Sequence, residues 1–355
     1  MRFEVQQAEL IKALTALSRM IVKVAKDSYL QNVKITKLDS SHIRLVASDL
    51  TSSMQYDIEA VNIDGNGILY NLNNLTSIIS RLEGVISFDK NIIKTKKSKF
   101  KISNASIELY PEINFDCGAE KYTIDAIEFH NAVSKTLYAT SKINNSVLAG
   151  IYFSEGDVVS TDSNRLTIAK INSQLPQFVL PRTIGEEILR LFADGSIDFQ
   201  FVNNKIYISN DKIVFTGHTL AGSFPEYKKL LPQSFEHTVR FKNADLAKAI
   251  NLITPILDSK AMICLLGING EQINISGYNL SSEGETEFEL DASDVMEEKF
   301  LGFNAQYLLD MLKNFDTDIT MKFNGTNRAA VFEDNNNGYA LIMPITGVKK
   351  CNKWF

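Results

Sequence analysis

Little in this sequence invites covalent or metal chemistry. There are three cysteines in 355 residues, Cys117, Cys264 and Cys351. They are far apart, odd in number and in no C-x-x-C or C-x-x-H arrangement, which argues against a disulfide framework or a zinc site and for reduced thiols. The four histidines, His42, His130, His218 and His237, share no metal-ligand spacing with each other or with a cysteine. Gly217 and Gly222 are spaced as in a phosphate loop, but the loop lysine is missing and no helix follows. There is no G-x-S-x-G elbow and no H-E-x-x-H pair. Glu186-Glu187 falls in the first turn of an expected helix, where the helix dipole accounts for paired acids without acid–base catalysis. The chain is therefore expected to be no enzyme, and to need no metal and no cofactor.

Long apolar runs are missing too. None approaches the length that spans a bilayer. The first residues, MRFEVQQAELIKAL, lack the apolar core of a secretion signal. A soluble, cytoplasmic protein is expected. Basic excess is also absent: the formal net charge is -5, where a strongly basic chain would advertise nucleic-acid binding. That weighs mildly against such binding without excluding it, because a local field depends on where charges sit.

What is present is ample core material and a repeat. With 45% apolar and 22% charged residues the composition is that of a globular protein, and the length calls for two or three domains. Phe3 and Val5 precede Ala8-Glu9-Leu10 and Leu14. Tyr122 and Ile124 precede Ile127-Glu128-Phe129 and Val133. Val239 and Phe241 precede Ala244-Asp245-Leu246 and Ile250. Each set is an alternating strand running into an amphipathic helix, and the offsets are nearly constant. A second feature recurs midway: ILYNLNNLTSIISRLE, FVLPRTIGEEILRLFA and FLGFNAQYLLDMLKNF each read as a short strand, a break at Asn71, Pro181 or Asn304, and a helix. Hairpins with Asp, Asn and Gly at their tips fill the rest. The expected fold class is α+β, in three copies of two helices plus antiparallel sheets. The boundaries fall in polar, turn-forming stretches and give 1–118, 119–235 and 236–345, with a tail at 346–355.

Several segments carry a resemblance. Thr161-Asp-Ser-Asn-Arg-Leu166, Val179-Leu-Pro-Arg182, Gly222-Ser-Phe-Pro-Glu-Tyr227, Gly302-Phe-Asn304 with Tyr307, and Ile342-Met-Pro344 occur in this order. In combination they resemble the bacterial DNA polymerase III β subunit, the sliding-clamp family, most clearly in the second and third copies. The resemblance implies three DNA-clamp domains per chain and a head-to-tail homodimer ring with helices lining the hole. It implies double-stranded DNA inside, bound without sequence specificity. It also implies partners that dock by short peptides: the replicative polymerase, the clamp loader, and repair or translesion polymerases. The partner-peptide pocket carries over to Val147, Leu148, Thr161, Ser163, Asn164, Arg165, Leu166, Pro225, Lys229, Leu230, Asn304, Tyr307, Leu341, Ile342, Met343 and Pro344. Leu148, Leu166, Leu230, Leu341 and Met343 are expected as its apolar floor. The family's usual Gly-His is Ser163-Asn164 here, and the chain runs on past Met-Pro in a tail expected to be disordered, the alternative being that Trp354-Phe355 folds back toward the pocket.

Helix width gives independent support. Helices pack about 9 Å apart, so twelve enclose a hole roughly 34 Å across, while six close at about 17 Å, too tight for a duplex about 20 Å wide. A duplex-sized hole thus needs two chains. Expected DNA-facing residues on helices are Lys12, Arg19, Lys23, Arg81, Lys135, Lys142, Arg182, Arg190, Lys248 and Lys313. Expected apolar contributors to the dimer contact are Phe100, Ile256 and Leu257. The densest basic run, Lys94 to Lys101, lies in a hairpin and reads either as edge-strand protection or as a DNA contact at the ring face. Two rivals stay open: a triplicated enzyme of unfamiliar chemistry, and a monomeric peptide-binding scaffold.

Overall fold

The structure, a computed structural model, describes residues 1–21, 28–143, 146–269, 272–278, 283–289, 291–292, 298–316 and 318–347. Lys23, Cys351 and residues 348–355, including Trp354-Phe355, lie outside the described residues.

The repeat is written in the buried stripes of the first helix of each copy. In α1 (Gln7–Ser18) the interior positions are Leu10, Ala13, Leu14 and Leu17. In α3 (Ala126–Leu137) they are Phe129, Ala132, Val133 and Thr136. In α5 (Asn243–Ile253) they are Leu246, Ala249, Ile250 and Ile253. The spacing i, i+3, i+4, i+7 is the same each time and puts all four on one helix face. The strands before them alternate: in Arg2–Gln6, Phe3 and Val5 point inward, and Phe3 stacks on Phe88 at 4.4 Å.

The second helices begin where the breaks predicted. α2 spans Leu72–Ile79, α4 Arg182–Leu191 and α6 Ala305–Leu312. Asn71 caps α2 by accepting from Asn74 N–H, and Asn304 caps α6 by accepting from the N–H groups of Gln306 and Tyr307. α1 packs on α2, and α5 on α6.

Chain contacts divide the molecule into two compact units, residues 1–127 with 187–219, and residues 128–186 with 220–355. These do not coincide with the three copies; 111–121 and 231–236 lack helix and strand. The reason is that sheets run through the boundaries. In the first unit a nine-stranded sheet joins Ser53–Glu59 of the first copy to Ile213–His218 of the second. A five-stranded sheet in the same unit runs Val61–Asp64, Arg2–Gln6, Val85–Asp89, Ile92–Lys94, Lys99–Lys101. In the second unit another nine-stranded sheet joins Arg165–Lys170 of the second copy to Tyr339–Ile342 of the third. A four-stranded sheet there runs Glu283–Glu289, Gln272–Tyr278, Ile263–Asn269, Lys299–Asn304. The pairings at both junctions are antiparallel.

Candidate functional site

The Thr161–Leu166 turn is built by its own side chains. Asp162 Oδ1 accepts from the N–H groups of Asn164 and Arg165 at 3.0 and 3.1 Å. Thr161 Oγ1 donates to the Arg165 carbonyl at 2.6 Å and accepts from Ser163 N–H at 3.1 Å. Ser163 sits at a φ of 78°, a left-handed conformation that a small polar residue tolerates better than a bulky one. Opposite the turn, Leu166 pairs with Leu341 and Arg165 with Ile342, and Met343 N–H extends the ladder to the Asn164 carbonyl at 2.9 Å. The pocket sequences of the second and third copies thus meet in one sheet.

Arg165 differs from the expectation of a partner contact. Its guanidinium donates to Asp162 at 2.9 Å, to Asp310 at 2.9 Å and to the Tyr138 carbonyl at 2.8 Å, and it lies 4.2 Å over the Tyr307 ring. With only 5% of its side chain exposed it is a brace between the second copy's strand and the third copy's helix α6. Burial pushes the nearby Tyr138 hydroxyl far above its usual titration range, so it stays neutral.

The expected apolar floor is also only partly open. Leu166 and Leu341 are buried with Val159, Ile168, Val331 and Tyr227 in one cluster. The Phe-Pro-Glu-Tyr segment covers them: Phe224 stacks on Tyr152 at 4.7 Å, and Tyr227 Oη donates to Asp157 at 2.6 Å. Thr161, Ile342 and Pro344 are likewise interior. What faces outward is Leu230, 60% exposed, and Met343, 43% exposed, with Val147, Leu148 and Tyr307 half-buried. Ser163, Asn164, Pro225 and Lys229 are exposed around them, and Lys229 pairs with Glu226. Asn304 serves as the α6 cap and donates to the Ala261 carbonyl. Apolar and methionine side chains of this kind adapt to several related peptides.

Among the helix cations Lys135 must be withdrawn. Its ammonium is buried, 2.9 Å from Asp334 and 2.7 Å from the Asn336 carbonyl, and cannot face DNA. Burial alone would raise the Asp334 pKa, but Lys135 and backbone N–H groups outweigh it and hold the carboxyl below its ordinary value of 3.8. Arg182 pairs with Glu186, Arg190 with Glu187, and Arg19 with Glu187. Lys12 and Lys248 lie on helices and Lys313 is the C-cap of α6, but Arg81 and Lys142, expected on helices, lie beyond the ends of α2 and α3; all five are exposed, and among the described residues none of them is in an ion pair.

Of the expected dimer residues, Phe100 is 37% exposed on Lys99–Lys101, the last strand of its sheet. Ile256 is half-buried against the third copy's core. Leu257 is interior instead: it packs so closely on Gly277 that a Cβ there would lie 2.2 Å from Leu257 Cδ2. Lys94, Lys96, Lys97, Lys99 and Lys101 are all exposed.

Among the described residues no group of histidine, cysteine, aspartate and glutamate is placed to hold a metal, and no helix is long and apolar enough to cross a membrane.

Comparison with known proteins agrees along the chain. Residues 123–226 match the family model for the DNA polymerase III beta subunit central domain, and residues 228–346 match that for its C-terminal domain. A beta sliding clamp of Rickettsia bellii is 23% identical over 379 residues, covering 96% of this chain and 98% of the relative. One from Pseudomonas aeruginosa is 22% identical over 367 residues, covering 97% and 100%. Among solved structures, a DnaN sliding clamp from Pseudomonas aeruginosa bound to griselimycin has a TM-score of 0.89 at 20% identity, over 97% of this chain and 99% of that one. Its counterpart from Bartonella birtlesii has a TM-score of 0.88 at 23% identity, with the same coverage.

Proposed function

The chain belongs to the DNA polymerase III beta subunit family, and on that premise we propose that it is a sliding clamp: a homodimeric ring that encircles duplex DNA and tethers the replicative polymerase. It catalyses no reaction and works in the cytoplasm. Its domains are 1–118, 119–235 and 236–345. Exposed helix lysines hold the phosphate backbone weakly and without base readout. The polymerase, the clamp loader and repair polymerases dock by apolar peptide anchors at Leu148, Leu230 and Met343. Each buried anchor supplies roughly 2–3 kcal/mol, so partners exchange readily.

The observation that carries the ring is a rule repeated inside the chain. In the first copy, Ser53–Glu59 meets the last strand of the second copy, Ile213–His218. In the second, Arg165–Lys170 meets the last strand of the third, Tyr339–Ile342. The corresponding strand of the third copy, Glu283–Glu289, ends its sheet, and so does Lys99–Lys101, the matching strand of the first copy. Among the described residues, neither has a strand on its outer side. The same junction made between chains, head to tail, closes by rotation into a ring. The two strands also carry opposite charge. One reads Glu-Gly-Glu-Thr-Glu-Phe-Glu, and the other lies within the run of five lysines from Lys94 to Lys101, with Phe100 as its apolar contributor. Strand edges without a neighbour otherwise invite wrong pairing, which charge suppresses.

Sedimentation tests this. The wild-type chain sediments as a dimer. Lys99→Glu with Lys101→Glu shifts it toward monomer at low salt, while its circular dichroism stays unchanged. A wild-type monomer at micromolar concentration contradicts the ring.

A further inference from the structure

Two arginines from distant parts of the chain share one carboxylate. Arg19 caps the C-terminus of α1, and Arg190 stands in the last turn of α4. Glu187 lies between them: its Oε2 accepts from Arg19 Nη1 at 3.3 Å and its Oε1 from Arg190 Nη1 at 2.8 Å. All three residues belong to one compact unit. The carboxylate is the shielded member, with 17% of its side chain exposed against 40% for Arg19 and 53% for Arg190. A guanidinium has five N–H donors in a fixed fork, and among the described residues each arginine uses one of them here. Two cations against one anion leave the cluster with one positive charge and with donors for a further acceptor.

The exposed residues along α1 and its cap are Ala8, Lys12, Thr15 and Arg19. Their spacing of four, three and four puts them on one stripe, opposite the buried Leu10, Ala13, Leu14 and Leu17. Arg19 therefore shares its face with Lys12, an exposed cation without an ion pair among the described residues. The two kinds of cation are treated differently. Among the described residues, every arginine in or capping an α-helix is bound to an acid, Arg182 to Glu186 and the other two to Glu187. Lys12 on α1 and Lys248 on α5 are not. A free guanidinium grips a phosphate through two parallel hydrogen bonds, whereas an ammonium meets it as a point charge. Surface ion pairs add little stability, so the fold gains little from matching each arginine with an acid. A protein that must move along DNA gains more, because an arginine held by a carboxylate has to give up that contact to grip a phosphate fully.

We propose that Glu187 tethers Arg19 and Arg190 into one weak phosphate contact, and so sets how loosely the protein holds the duplex along which it slides. A phosphate at this cluster competes with a carboxylate already in place, and the two arginines act with the charge of one. The proposal rests on the DNA-encircling reading and adds a positioning residue to it.

The test is a salt titration of equilibrium binding to a short linear duplex, read by fluorescence anisotropy. Glu187→Gln keeps the shape and removes the charge. It should bind more tightly than wild type and steepen the slope of log affinity against log salt by roughly 0.9, as one further phosphate contact does. Glu187→Ala, which drops the hydrogen bonds as well, should steepen it equally. Arg19→Ala should flatten the slope by a similar amount, and Glu187→Gln combined with Arg19→Ala should restore the wild-type value. That ordering follows the charge of the cluster, and a glutamate that only supported the fold would not produce it. Glutamine and alanine variants with the wild-type slope, or with weaker binding, overturn this inference; a flattened slope for Lys12→Ala in the same assay leaves the DNA reading standing. A wild-type chain that binds no duplex overturns both.

Discussion

At the scale of residues, two buried cations hold the second and third copies together. Lys135 with Asp334 and Arg165 with Asp310 are ion pairs taken out of water. Such pairs add little net stability when intact, but leaving one partner alone costs about 3–5 kcal/mol. Lys135→Met should therefore lower the melting temperature clearly. The pH dependence has a defined sign. Asp334 is held below its ordinary value of 3.8, so its ionised form contributes stability above that value, and the contribution is lost as pH falls through the native pKa. Asp334→Asn should flatten the wild-type's acid destabilisation below about pH 4 in urea titrations. An unchanged slope there would remove the pair from the account. Neither brace was legible in the sequence. Lys135 sits on an amphipathic helix like any solvated lysine, and its partner is 199 residues away. Asp310 is 145 residues from Arg165. Only Asp162, three residues from Arg165, was a local hint.

At the scale of elements, the sequence was most informative where a period or a cap decides. The stripes of α1, α3 and α5 follow from the 3.6-residue turn, and α2, α4 and α6 begin directly after Asn71, Pro181 and Asn304. The covering role of Phe224 to Tyr227 was not legible, because it depends on which sheet face the segment crosses. That is why Leu166 and Leu341 were expected in the open and are found beneath Tyr227. The cations fall into exposed ones and the buried Lys135. Lys12→Ala, Lys248→Ala and Lys313→Ala should each lower the slope of log affinity against log salt by roughly 0.9 if each meets one phosphate. Lys135→Ala should leave that slope untouched while lowering stability. The measurement is a salt titration of equilibrium binding to a short linear duplex, onto which the ring can thread.

At the scale of the whole molecule, the threefold repeat was legible and the two-unit division was not. Pairing across copy boundaries is non-local, and each shared sheet welds neighbouring copies into one contact body. The two internal junctions are also the pattern for the proposed assembly of the Glu283–Glu289 and Lys99–Lys101 edges, which have no outer strand among the described residues. Encirclement is a topological claim and has a topological measurement. The chain is loaded by its clamp loader onto nicked circular duplex, isolated with the DNA by gel filtration at moderate salt, and challenged by a single restriction cut. The account predicts that the chain stays with the circle and elutes free after linearisation. Retention on the linear DNA, or failure to co-elute with the circle at all, would contradict it.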